Sequence, residues 1–192
     1  MASHNKRPII FPLSNPVSLC EVEYDAAVKW TEGKVVFASG SPYEQFEWEG
    51  KIYEPGQGNN MYIFPGIGLG TVLSKARHVT DEMVEAASIA LSSSLNEVES
   101  AAELVYPRLE RIREISGKIA LAVIKKAQEQ VSVYNPAASK DAIVYHISFI
   151  QGLDETTSLR HLSDDALGGY IHAKMWEPSS EPLDRRQPIQ RL

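Results

Sequence analysis

Apolar residues come in short continuous runs near the N-terminus and at helical spacing further along. Pro8-Ile9-Ile10-Phe11-Pro12-Leu13 is apolar throughout and closes on Ser14-Asn15-Pro16, which predicts a buried strand ending in a turn. From Glu21 to about Thr31, the positions Val22, Tyr24, Ala26-Ala27 and Trp30 follow a helical period, and Gly33 supplies the stop. Lys34-Val35-Val36-Phe37-Ala38 is a second buried strand, closed by Ser39-Gly40-Ser41-Pro42. Strand, helix and strand joined this tightly form a βαβ unit with a parallel pair and a right-handed crossover. Ligands of open parallel sheets bind beyond the carboxyl ends of the strands, so both turns face the expected site.

Phe46 to Tyr53 alternates apolar and polar around Gly50, the pattern of a small surface hairpin. It leads into Pro55-Gly56-Gln57-Gly58-Asn59-Asn60, followed at once by the apolar run Met61 to Gly70. Two glycines there allow positive φ and close backbone approach, and two amides stand where a helix would start. Unpaired N–H groups and uncharged amide side chains at such a corner suit a small carboxylate. From Asn60 to about Arg77 the chain is apolar nearly all round, which predicts a central packed helix with Pro65 in its first turns.

Thr80 is the expected N-cap of the next helix, with Asp81-Glu82 in its first turn and Met83, Ala86-Ala87 and Ala90-Leu91 as its apolar stripe. Ile112, Ile115, Ile119, Ala122-Val123 and Ala127 predict an amphipathic helix from Leu109 to about Gln130, covering the sheet. Ala142 to Ile150 fits either a strand or a short helix. Asp164 to about Trp176 reads as one short helix, and Pro178 to Leu192, with its prolines, as a loose tail. The chain has no internal repeat.

With 192 residues, 43% of them hydrophobic, the chain is long enough for one globular core. A formal net charge of −6 with no basic stripe argues against a nucleic-acid partner. No apolar run is long enough to cross a membrane and the N-terminus has no signal-peptide core, which predicts a soluble intracellular chain. Cytoplasm and mitochondrion are not separated by these features. The single cysteine, Cys20, has no partner motif and is expected to be inert, and the five histidines show no metal-ligand spacing. The acid pairs Asp81-Glu82 and Asp164-Asp165 read as solvated helix starts.

Taken in order, three stretches resemble the C-terminal part of the malic enzymes, the NAD(P)-dependent oxidative decarboxylases of malate. They are Pro8 to Pro16, Phe37 to Pro42, and Pro55 to Gly66; weaker echoes follow at Leu104 to Leu109, Ile112 to Ser116 and Tyr170 to Pro178. The resemblance implies an α/β fold: a partial Rossmann-type parallel sheet with helices on both faces and a helical C-terminal extension. It divides the chain into 1–130, the C-terminal part of an NAD-binding domain, and 131–192, an extension that is partly helical with a loose Pro-rich tail. It also implies that the chain corresponds to about the last third of a complete enzyme.

In the family, Asn15 would lie by malate and the nicotinamide, and Asn59 and Asn60 would help bind the substrate carboxylates, Asn60 above all. The cofactor implied is NAD or NADP, with Mg²⁺ or Mn²⁺. The family's lysine base, tyrosine acid, metal ligands and dinucleotide Gly-rich loop come from upstream segments, and none has a counterpart here. Gly66-Ile67-Gly68-Leu69-Gly70 has the wrong spacing for that loop and reads as close helix packing. Without the resemblance, Asn15 would read as a turn cap before Pro16, and Asn59 is the more structural of the amide pair.

The resulting expectation is a malic-enzyme NAD(P)-binding-domain portion that contacts malate and nicotinamide but lacks catalytic competence alone. The alternative is a non-catalytic module that docks onto another chain, such as a full-length malic enzyme, through a sheet edge left unpaired ahead of the first strand. Homo-oligomerisation is implied by family analogy.

Overall fold

The computed structural model describes residues 2–76, 78–132 and 157–177. The Ala142 to Ile150 run and the Pro-rich tail from Pro178 lie outside these residues. Strand β1 (Ile9–Ile10) pairs in parallel with β2 (Val36–Ser39), and helix α1 (Tyr24–Trp30) makes the crossover, as the βαβ pattern predicts. The edge strand's carbonyls continue the ladder on both sides of this short pairing, since Val36 N–H donates to Pro8 O and Gly40 N–H donates to Pro12 O. Proline, lacking an N–H, is admissible at such an edge. Tyr24, Ala27 and Val28 of α1 pack on Phe37 and Ile10 and cover one face of the sheet. Glu32 (φ 52°) and Gly33 (φ 72°) end α1 in the left-handed region, where glycine is at no disadvantage. The helix starts at Tyr24, later than the periodicity predicts, because the Glu21 carboxylate accepts from Ser14 Oγ at 2.8 Å and ties the preceding segment to the end of β1.

β3 (Phe46–Trp48) and β4 (Lys51–Tyr53) form the expected hairpin, with Glu49 and Gly50 both at positive φ in its two-residue turn. β5 (Gly56–Gln57) then joins β2 in parallel, giving a three-stranded sheet in the order β1-β2-β5. The expectation of a first strand buried on both faces is corrected. Ile9, Phe11 and Leu13 are 59%, 41% and 54% exposed, because α1 covers only the side to which Ile10 points.

The helical layer differs from expectation in which helix is central. The segment predicted as one helix from Asn60 splits into a 3₁₀ turn at Asn60–Tyr62 and helix α2 (Phe64–Ser74), and α2 keeps Phe64 and Val72 exposed. It buries the small residues Gly66, Gly70 and Ser74 instead. Helices α3 (Asp81–Ser92), α4 (Glu97–Ala101) and α5 (Ile112–Ser132) follow, and α5 occupies the centre. Ile115, Ile119, Val123 and Ala127 of α5 join Met83 and Ala87 of α3 and Tyr62 in one core. Ala120 and Ile124 join Leu159 and the residues Leu167 and Ile171 of helix α6 (Asp164–Lys174) in another. Thus α5 packs on helices and does not lie across the sheet. The N-caps at Thr80 and Ser163 form as their sequences dictate, each accepting a backbone N–H three residues on.

Gly66 and Gly70 set the α2–α5 distance. A Cβ at Gly66 would stand 2.5 Å from Ile119, and one at Gly70 would stand 2.8 Å from Val123, whereas a Cβ at Gly68 would meet nothing within 4 Å. The G-x-G-x-G run is therefore a packing surface, as its spacing predicts, with one of the three glycines facing outward.

A buried carboxylate fixes the connection between α4 and α5. Glu99, fully buried, accepts from the N–H groups of Asn96 and Arg108 at 2.9 Å each and pairs with Arg111. Burial pushes its pKa up, but the two N–H donors and the Arg111 guanidinium outweigh this and hold it below the usual carboxylate range. Arg108 in turn grips Glu54 through two bonds of 2.8 and 2.7 Å, tying this connection to the strand that leads into the Gly-rich corner.

Two outcomes are expected. Gly66→Ala should lower stability to urea by about 1–3 kcal/mol through overpacking, whereas Gly68→Ala should leave it unchanged or raise it by up to about 1 kcal/mol. Equal effects of the two would contradict the packing described. A depressed Glu99 pKa means that its stabilisation is present above the unfolded carboxylate value and fades as pH falls through the folded one. Glu99→Gln should therefore cost about 3 kcal/mol near neutral pH and flatten the loss of stability on acidification, measured by urea midpoints at several pH values.

Candidate functional site

The three strands end together. Gly58 N–H donates to Ser39 O at 2.8 Å, so β5 runs beside the end of β2 and delivers Asn59 and Asn60 to the carboxyl edge of the sheet. The glycines of this corner serve close approach, not positive φ, which among described glycines belongs to Gly33 and Gly50. A Cβ at Gly56 would stand 3.0 Å from Phe37 O and 3.2 Å from Val105, and one at Gly58 would stand 3.3 Å from the Tyr106 ring. The corner is thus squeezed between β2 and the Leu104–Tyr106 segment, and its crowding is with protein.

Asn59 is built into the fold. Its Oδ1 accepts from Met61 N–H at 3.0 Å and caps the 3₁₀ turn, while its Nδ2 donates to Gly40 O at 3.2 Å and binds the corner to the turn after β2. Both ends of the amide are used. Asn60, one residue on, is exposed, and its side chain makes no hydrogen bond among the described residues. It opens on a groove of about 470 Å³ with Phe11, Leu13 and Gly58 on one side and Leu91 and Tyr106 among its other walls. Asn15 lies outside those walls. It is exposed beside the Ser39–Ser41 turn, where its Oδ1 accepts from Ser41 Oγ, so Asn15 and Asn59 meet at the same turn through different atoms.

Tyr62 anchors the segment that follows. Its ring packs 5.6 Å from that of Tyr106, and its hydroxyl donates to Pro107 O at 2.6 Å. Burial, helped by the carboxylates of Glu110 and Glu99, pushes its pKa up to about 12, so the hydroxyl remains a donor. Tyr62 and Ser41 carry no motif of their own, whereas Asn96 and Glu99 have the spacing of a capping box, and both of its bonds form. The one signal for Tyr62 in the sequence is its place two residues after the amide pair.

Asn15 and Asn60 are neutral donors able to meet a carboxylate or a carboxamide oxygen. The Gly66–Gly70 run cannot cradle a pyrophosphate, because Gly66 and Gly70 are filled by α5. Among the described residues no cluster of three or more His, Cys, Asp or Glu side chains could hold a metal ion. Cys20 is free and its sulfur lies 3.9 Å from Ser39 Oγ. No described helix is long and apolar enough to cross a membrane.

Residues 1–128 match the family model described as malic enzyme, NAD binding domain. The chain is 43% identical over 157 residues to an NADP-dependent malic enzyme of Dictyostelium discoideum, covering 81% of this chain and 29% of that protein. It is 51% identical over 129 residues to an NADP-dependent malic enzyme of Populus trichocarpa, covering 67% of this chain and 22% of that one. NADP-dependent malic enzyme 2 of Arabidopsis thaliana is 43% identical over 145 residues, covering 76% and 25% respectively. The chain spans about a quarter of the length of these curated relatives. A parallel sheet whose strand ends carry Asn15, Asn59 and Asn60, matched over two thirds of the chain, belongs to the malic enzyme NAD-binding domain family.

Proposed function

We propose that this chain supplies the carboxylate-facing and nicotinamide-facing donors of a site for the oxidative decarboxylation of malate to pyruvate and CO₂. The observation that carries the reading is the division of labour in the amide pair: Asn59 is spent on the fold at both ends, and Asn60 is free at a groove by the strand ends. Asn60 Nδ2 donates to a malate carboxylate, Asn59 holds the corner in place, and Asn15 donates to malate or to the nicotinamide carboxamide. The relatives' names favour NADP as the cofactor, whose nicotinamide accepts the hydride when bound. No described cluster fits Mg²⁺ or Mn²⁺, and no residue here matches the family's base or acid. In this reading turnover needs the base, acid and metal ligands that the family resemblance places in other segments, and the chain alone binds without turning over.

A second reading, a non-catalytic module that docks onto another chain such as a full-length malic enzyme, is favoured by the edge position of β1 and the exposure of Ile9 and Leu13. In that case the chain should co-elute with a full-length NADP-dependent malic enzyme, and Leu13→Asp should abolish co-elution. Separate elution would rule that reading out.

Titration with L-malate, followed by NMR, should move the Asn60 side-chain amide signals. Asn60→Ala should remove the response with little change in melting temperature, whereas Asn59→Ala should cost about 1 kcal/mol of stability through its lost cap. With malate, NADP⁺ and Mn²⁺ the chain should form no pyruvate. Pyruvate formation that disappears in Asn60→Ala would contradict the claim of incompetence.

A further inference from the structure

The turn that closes β2 holds polar groups that the corner does not use. Ser39 and Ser41 are buried; Ser41 N–H donates to Ser39 Oγ at 3.3 Å, and Ser41 Oγ donates to Asn15 Oδ1. A side-chain amide has an acceptor end and a donor end. With Ser41 on the acceptor end, the end of the Asn15 amide left for a ligand is Nδ2, which lies over Gly40 and makes no hydrogen bond among the described residues. Gly40 contributes by what it lacks: a Cβ there would stand 2.5 Å from Leu13 O and 3.0 Å from Asn15 Nδ2, so a side chain would drive Asn15 off the turn. Asn59, donating to Gly40 O, holds the same turn from the other side.

We propose that Ser41 is a positioning residue: its buried hydroxyl holds the acceptor end of the Asn15 amide and leaves the donor end unpaired, which makes this strand end selective for an acceptor oxygen of a carboxylate or carboxamide. The inference rests on the reading that Asn15 contacts substrate or nicotinamide. Without the hydroxyl, the amide is free to rotate about its terminal torsion, a broad and roughly two-fold well, and to present Oδ1 instead. A carboxylate meeting Oδ1 gains no hydrogen bond and loses one to water.

The test uses the purified chain with Ser41→Ala, Ser41→Thr, Asn15→Ala and the double variant Ser41→Ala/Asn15→Ala. Two quantities are read: the NMR order parameter of the Asn15 side-chain N–H₂ without ligand, and the dissociation constant for L-malate. Ser41→Ala should lower the order parameter and weaken malate about tenfold at unchanged melting temperature, and Ser41→Thr, which keeps the hydroxyl, should restore both. Asn15→Ala should weaken malate by a similar factor, and adding Ser41→Ala to it should weaken binding no further. An unchanged order parameter in Ser41→Ala, or unchanged affinity there while Asn15→Ala loses it, overturns the inference. Unchanged affinity in Asn15→Ala overturns the reading of Asn15 as a ligand contact.

Discussion

The approach of α2 to α5 through two missing side chains is the constraint on which the helical layer depends. Gly66 and Gly70 let the α5 residues Ile119 and Val123 lie against the α2 backbone, which sets the position of α2 and hence of the 3₁₀ turn and the amide pair that precede it. The same contact makes α5 central. With glycine at α2's contact with α5, the fully buried apolar side chains come mainly from α5 and its other neighbours, Ile67, Leu69 and Leu73 of α2 pack at the margins, and Phe64 and Val72 are left outside. Dispersion falls steeply with distance, so a few tenths of an ångström at this contact decide whether the layer packs.

From that layer, polar ties carry the position of the helices to the strand ends. Glu99 gathers the backbone of Asn96 and Arg108 with the Arg111 guanidinium, Arg108 grips Glu54, and Tyr62 is held at Pro107. Each tie is charge-assisted, buried or both, the condition in which a hydrogen bond restricts motion most. They converge on a corner that makes no use of left-handed backbone. Its glycines are small because β2, Val105 and Tyr106 press on them, and of its amide side chains Asn15 and Asn59 are held by neighbouring groups while Asn60 is not.

Much of this was legible in the residues. The βαβ unit, the hairpin, the cap at Thr80, and the reading of Gly66 to Gly70 as packing all follow from local pattern, because each is decided within a few residues. The structural role of Asn59 was also legible, since an amide before a helical turn caps it wherever the fold allows. What was not legible depends on contacts distant in sequence. Which of two apolar helices is central is set by their mutual packing, and periodicity carries no record of it. The exposure of Ile9, Phe11 and Leu13 depends on which elements reach their side of β1, and the apolar run reads the same either way. The links from Ser41 to Asn15 and from Glu99 to Arg108 join segments with no shared motif.

In the proposed site the chain presents Asn60, and not Asn59, to a small dicarboxylate. Intermolecular NOEs between the methylene protons of L-malate and the side-chain amide protons of the chain test it most directly. Contacts to the Asn60 amide and none to that of Asn59 are expected. Contacts to the Asn59 amide, or malate contacts confined to residues away from the strand ends, would contradict it.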